Sequence, residues 1–211
     1  MNRATSSKVI VGTIAVIILA PIAIAQSAAT TDAPKRSVIV LQPSLVFERL
    51  QDESPLDPAK FGGPELARQL IEAGEQNLRN KGFGILAAAD YTPQTAISVG
   101  KLTPMTGRIA RGSLTEASRA TMADLAGAGQ RPMLLFAQFL RIRVGSKSGY
   151  WNPVSGAIGS SQLETVLAAA LVDPANGTIA WKNEVLVRKI LAPGSKDLTE
   201  ALSTLYASPN Q

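Results

Sequence analysis

The sequence predicts a mixed fold of the α/β (α+β) class, one β-sheet with parallel and antiparallel parts and helices packed on it. Three observations predict it. Residues 162–191 hold two apolar, β-rich runs flanking Asp173-Pro174-Ala175-Asn176-Gly177, the pattern of a β-hairpin. Pro174 presets φ, Asn176 and Gly177 tolerate positive φ, and Asp173 can bond the backbone just ahead of it. In residues 64–81, Leu66, Leu70, Gly74 and Leu78 recur every fourth position with Ile71 beside them, the stripe of an amphipathic helix. Residues 132–145 read PMLLFAQFLRIRVG, apolar on both faces at first, as in a central strand, and alternating afterwards.

The remaining elements follow in order. Arg3 and Lys8 precede an uncharged apolar run over residues 9–25, and Ala23-Ile24-Ala25 supplies a small-x-small cleavage pattern. Residues 1–25 thus read as a secretory signal cut before Gln26. The alternative is an uncleaved inner-membrane anchor, for which residues 9–25 are at the lower limit of a span of about 30 Å of hydrocarbon. Small polar residues 26–35 form a tether. A single domain then covers residues 36–207.

Within it, Ser37-Val38-Ile39-Val40-Leu41-Gln42 reads as a short buried strand ended by Pro43, and residues 47–63 as a loop. Pro64 and Glu65 open the first helix and Gly82 closes it. Residues 83–89 (FGILAAA) read as a second strand. Residues 90–112 lose all periodicity to Pro93, Gly100, Pro104, Gly107 and Gly112. Ser113 and Glu116 have capping-box spacing, so a helix is expected from about Leu114 to Ala126. Residues 145–159 form a glycine-rich loop, the hairpin follows, and residues 195–207 close the domain as a helix with Leu198, Ala201, Leu202 and Leu205 on one side. The expected order is β-α-β-α-β-β-β-α, with the late strands an antiparallel meander.

Composition restricts the chemistry more than it restricts the fold. The 211 residues include no Cys and no His. Disulfides, thiolate catalysis, Ser-His-Asp triads and HExxH zinc sites therefore cannot be built, and no cofactor is called for. The net charge of +5 is scattered, and Arg3 and Lys8 carry part of it, which argues against a nucleic-acid groove. Gly100-Lys101-Leu102-Thr103 echoes a P-loop, but Thr95 stands where that motif needs glycine. Gly127-Ala128-Gly129 is too short for a dinucleotide fingerprint. Asp52, Glu53 and Asp57 read as a solvated acidic turn. Glu72 and Glu75 lie at i±4 from Arg68 and Arg79, as surface ion pairs do. Trp181 alternates with Ile179 and reads as a core or half-buried position. The exposed candidate is Tyr150-Trp151-Asn152, aromatics on a glycine-rich loop that suit a protein partner or a sugar; the competing reading folds them back over the sheet edge.

The signal segment, the Val38-Ile39-Val40-Leu41 strand, the helix ending in Lys81-Gly82-Phe83 and the run Leu171-Val172-Asp173-Pro174 through Trp181 resemble a group of bacterial envelope domains. These are the CsgG-type curli secretion proteins, the LpoB-type activators of penicillin-binding proteins and the amino-terminal domain of TolB. The resemblance spans roughly residues 36–206 and implies a non-enzymatic role in binding or assembly, in the periplasm or secreted. Many of those relatives are lipoproteins with a cysteine after the signal, and this chain has none, so its only membrane contact would be the N-terminal segment. The expectation is an envelope accessory protein that contacts a protein partner through Tyr150, Trp151 and Asn152. The alternatives are a ring-forming, homo-oligomeric subunit of a secretion or export complex, or a carbohydrate-directed enzyme or binder.

Overall fold

The computed structural model describes residues 36–128, 133–146 and 161–207. The signal segment 1–25, the tether 26–35 and the loop bearing Tyr150, Trp151 and Asn152 lie outside the described residues. Six strands and five α-helices follow in order: β1 (Ser37–Val40), β2 (Ser44–Arg49), α1 (Gly63–Asn80), β3 (Gly84–Leu86), α2 (Pro93–Leu102), α3 (Thr106–Ala110), α4 (Glu116–Ala128), β4 (Met133–Ser146), β5 (Ser161–Asp173), β6 (Thr178–Val187) and α5 (Lys196–Tyr206).

The mixed sheet is as expected. Its strand order is β3-β1-β4-β5-β6, with β2 also paired to β4. β1 is parallel to β3 and β4, while β4, β5 and β6 form the antiparallel meander. Strand β4 is central, as its two-sided apolar pattern requires. Leu134, Phe136, Leu140 and Ile142 enter one core with α1 and α5; Met133, Leu135, Ala137 and Phe139 enter a second with α2, α3 and α4. The architecture is a sheet between two helical layers.

Pro43 does not end the first strand for good. Ser37 lies opposite Met133 and Ser44 opposite Phe139, so residues 41–43 span only Ala137 and Gln138 of β4. One residue is extra, and the chain bulges around Pro43, which has no N–H to give the ladder. Leu41 N still bonds Phe136 O at 2.9 Å before the bulge. The acidic residues after Phe47 hid β2, because its Glu48 faces a partly buried pair of arginines rather than an apolar core.

The other departures are local. β3 stops at Leu86, and Ala88–Asp90 turns as a 3-10 helix. Residues 90–112 contain α2 and α3, two short helices that the prolines and glycines begin or end: Pro93 starts α2, with Thr92 Oγ1 accepting from Thr95 N at 3.2 Å. The cap of α4 falls on Thr115 and Ser118 instead of Ser113 and Glu116. Thr115 N donates to Ser118 Oγ at 2.8 Å and Ser118 N to Thr115 Oγ1 at 3.2 Å. Ser113 is already committed to the preceding helix, its N–H bonding Arg108 O at 2.9 Å across left-handed Gly112.

Gln138 joins the layers on the α1 and α5 side. Wholly buried in mid-sheet, it donates from Nε2 to Leu70 O in α1 at 2.7 Å and to the Tyr206 hydroxyl in α5. A glycine makes the approach feasible. A Cβ on Gly74 would stand 2.7 Å from Phe136 Cε1 and 2.8 Å from Gln138 Nε2. Phe136 in turn stacks on Trp181 (centroids 6.4 Å) and tilts against Tyr206 (6.2 Å). Trp181 is half-buried, as its strand position predicts, with Lys81 Nζ 5.1 Å above its ring. Asn183 caps α5 from β6, its Nδ2 bonding Leu205 O at 2.8 Å and Thr204 O at 3.2 Å.

Two outcomes test this packing. Gly74→Ala overpacks the sheet and should cost about 1–3 kcal/mol in urea unfolding, whereas Gly100→Ala, on a helix position with open space around it, should gain up to about 1 kcal/mol. Burial pushes the Tyr206 hydroxyl well above its ordinary value, and the Gln138 bond offsets only part of that. Tyr91 moves the same way, to about 12, through burial and then the Asp90 charge. A hydroxyl that ionises near 10 in the unfolded chain and later in the folded one holds its stabilisation below pH 10 and loses it as pH rises further. The unfolding midpoint should therefore fall above pH 10, and less steeply in Tyr206→Phe.

Candidate functional site

The segment that carries Tyr150, Trp151 and Asn152 departs from the longest strand pair. β4 and β5 pair without interruption from Leu135↔Val172 to Ser146↔Ser161. Residues 147–160 therefore connect adjacent strand ends, and the described structure defines the base on which they are mounted.

That base is charged on one face. Arg141 and Arg143 alternate with Leu140, Ile142 and Val144, as the sequence pattern requires, and on that face they continue the line of Phe139. Neighbouring strands bring carboxylates to them, since Glu48 of β2 and Glu164 of β5 both lie opposite Arg143. Arg143 Nε meets Glu48 Oε1 at 2.6 Å, and its Nη2 also pairs with Glu53. Arg141 reaches Glu164 at 3.4 Å and Glu48 at 3.9 Å. The Arg143 and Glu48 side chains are 18% and 13% exposed, so this pair is partly buried. The Glu48 hydrogen bond, and then its charge with those of Glu53 and Glu164, hold the Arg143 guanidinium above its ordinary value against burial. Val46 and Val166, which lie opposite Arg141, still belong to the second core, and charge occupies the end of the face beyond them.

The loop after β2 is shaped to this cluster. Glu53 takes a left-handed φ of 54° and delivers its carboxylate to Arg143. Its neighbours turn elsewhere: Asp52 accepts from Ser54 N at 3.1 Å, and Asp57 accepts from Ala59 N at 3.0 Å at the start of a 3-10 helix. The Ser54 bonds hold the Asp52 carboxyl below its usual range. The three acids that the sequence places together thus have three separate jobs. On the opposite face of the same sheet end, Phe47 stacks on Phe61 at 5.3 Å.

The other sequence candidates resolve simply. Glu72 and Glu75 pair with Arg68 and Arg79 at 2.5 and 2.8 Å along exposed α1. Gly100 and Lys101 lie inside α2, so they form no phosphate-cradling loop. Asn176 serves the hairpin turn, its Oδ1 accepting from Thr178 N at 2.8 Å, while Gly177 takes φ 68° and bonds Asp173 O at 2.9 Å. Among the described residues no group of three or more acidic side chains is arranged to hold a metal, and no helix is long and apolar enough to cross a membrane. The Arg141–Arg143–Glu48–Glu164 cluster itself went unrecognised in the sequence. The period-2 arginines signalled it, but their partners sit in strands far away along the chain.

No protein-family model matches the chain, and no curated protein matches it. Solved structures match it only distantly. Lipoprotein GNA1162 from Neisseria meningitidis is 16% identical over 81% of this chain and 92% of that one, at a TM-score of 0.35. The LpoB C-terminal domain from Salmonella enterica is 13% identical over 73% and 83%, at 0.31. The PelC dodecamer from Paraburkholderia phytofirmans is 14% identical over 82% and 84%, at 0.29. All three are remote in sequence and in backbone.

The cluster yields a direct test. In a double-mutant cycle of Arg143→Met and Glu48→Gln, each single change strands a partly buried charge and should cost about 1–3 kcal/mol. The pair should cost less than their sum by about 1 kcal/mol or more, read from urea midpoints.

Proposed function

We propose that this chain is a non-enzymatic, exported accessory protein of the bacterial cell envelope, and that it binds another protein during envelope assembly or secretion. The observation that carries the reading is the N-terminal pattern, with Arg3 and Lys8, the apolar run of residues 9–25 and the Ala23-Ile24-Ala25 step ahead of a polar tether. The chemistry supports it. With no His or Cys, acid–base work falls to carboxylates, Lys and Tyr. The carboxylates gathered at Arg141 and Arg143 are held by guanidinium groups.

The contact surface in this reading is Tyr150, Trp151 and Asn152, carried between the paired ends Ser146 and Ser161. A rigid two-stranded mount lowers the entropy cost of presenting aromatic side chains to a partner. The chain bearing Tyr150→Ala and Trp151→Ala should lose its partner in co-purification from envelope extracts. Affinity for that partner should drop about tenfold or more, while the circular dichroism spectrum stays that of the native chain. A doubly substituted chain that keeps every partner overturns the contact assignment. Turnover of peptidoglycan or glycan fragments by the purified chain overturns the non-enzymatic reading.

A further inference from the structure

The sheet has two ends and one interrupted side, and only one of them is left as a long open edge. β3 ends the sheet with three residues. The outer side of β2 is closed by its own following loop, where Arg49 N bonds Ser54 O at 2.9 Å, Leu56 N bonds Phe47 O at 2.8 Å, and Glu48 bridges to Pro55. β6 pairs with β5 alone, over ten residues, and among the described residues no other backbone group bonds it, although within the strand Asn183 Oδ1 accepts from Glu184 N at 2.9 Å. Such an edge is a template for another strand unless its side chains forbid the pairing.

The side chains of β6 permit one pairing. Lys182 and Glu184 stand on either side of Asn183, both exposed, and neither has an ion-pair partner among the described residues. An antiparallel copy of β6 with Asn183 opposite itself sets Lys182 against Glu184 of the other chain, twice by symmetry. Trp181 then falls opposite Val185. Leu186, which is 60% exposed and one of two large apolar side chains so exposed among the described residues, falls opposite Ala180. Ala180 is the extra residue of a bulge, since Leu171 pairs with Trp181 and Val172 with Ile179. Its methyl leaves space where the partner's leucine arrives.

Neighbouring registers are rejected by the same two charges. Sliding the copy by one pleat places Lys182 against Lys182 in one direction and Glu184 against Glu184 in the other. A single lysine on an edge would merely repel other strands. A lysine and a glutamate symmetric about one residue instead select a register. Asn183 is held on its own chain, its Nδ2 on the carbonyls of α5 and its Oδ1 on Glu184 N at 2.9 Å, and a partner strand would exchange that last, local bond for a ladder bond.

We propose that the outer edge of β6 is the seam of a twofold-symmetric dimer, in which β6 pairs antiparallel with β6 of a second copy and Asn183 lies on the axis. The proposal stands independently of the envelope role. Light scattering coupled to size-exclusion chromatography on the chain from residue 26 onward should show a dimer whose dissociation constant rises with salt. K182E and E184K should each weaken it about tenfold or more, with unchanged circular dichroism, because both positions are exposed. Mixed together, those two variants should form a heterodimer of wild-type strength, and the swapped chain K182E/E184K should again pair with itself. A chain that stays monomeric at every concentration overturns the proposal. So does an assembly of more than two subunits, or a dimer that ignores both reversals or is not recovered by mixing them.

Discussion

One buried amide organises the molecule. Gln138 sits at the middle of β4, the strand that touches β1, β2 and β5, and its side chain leaves the sheet to bond one helix from each end of the sequence. A polar group at the centre of a core is costly unless bonded, so this bond does more than add a contact. It fixes where α1 and α5 can lie. Leu or Met at that place would leave the Tyr206 hydroxyl without its donor and the helices free to slide along a smooth apolar face. The distance from helix to sheet is set by the same device, since only glycine at position 74 admits the amide.

The opposite face repeats the principle with different parts. Gly107 of α3 comes so close to the sheet that a Cβ there would stand 2.8 Å from Ser44 Oγ and 3.1 Å from Phe139. Arg111, one turn on, lies 4.6 Å over the Phe139 ring. Beyond Val46 and Val166, which flank Arg141, that core ends, and Arg143 meets the glutamates of the two flanking strands. The sheet is thus dry where helices cover it and ionic where they do not. Its charged end belongs to the strand pair that carries residues 147–160.

The parts of the fold that the sequence revealed are those decided by neighbours along the chain. The stripe of Leu66, Leu70, Gly74 and Leu78 is buried as written, and Gly177 turns at φ 68° as expected, while Asn176 serves the turn through its side chain and not through a positive φ. The parts that it concealed depend on distant partners. β2 looks like a loop until Arg143 is brought to Glu48, and Pro43 looks like a stop until β4 provides a ladder to rejoin. Ser113 and Glu116 have the right spacing for a cap, but the preceding helix had a prior claim on the Ser113 N–H. For the candidate site, alternation disclosed Arg141 and Arg143, while the carboxylates that neutralise them are brought in by tertiary structure. Tyr150, Trp151 and Asn152 rest on sequence alone.

The pairing of β1 and β2 with β4 also fixes an order of events. Ser37 waits for Met133 and Arg49 for Val144, whereas β4, β5 and β6 find one another through the hairpin and its neighbour. Pairings so distant in sequence close late, because the loop entropy must be spent before any contact offsets it. The first half of the domain has no partner strand of its own length until residue 133 is present beside it. Synthesised from its N-terminus, such a chain stays open until most of it has been made and closes from its later half.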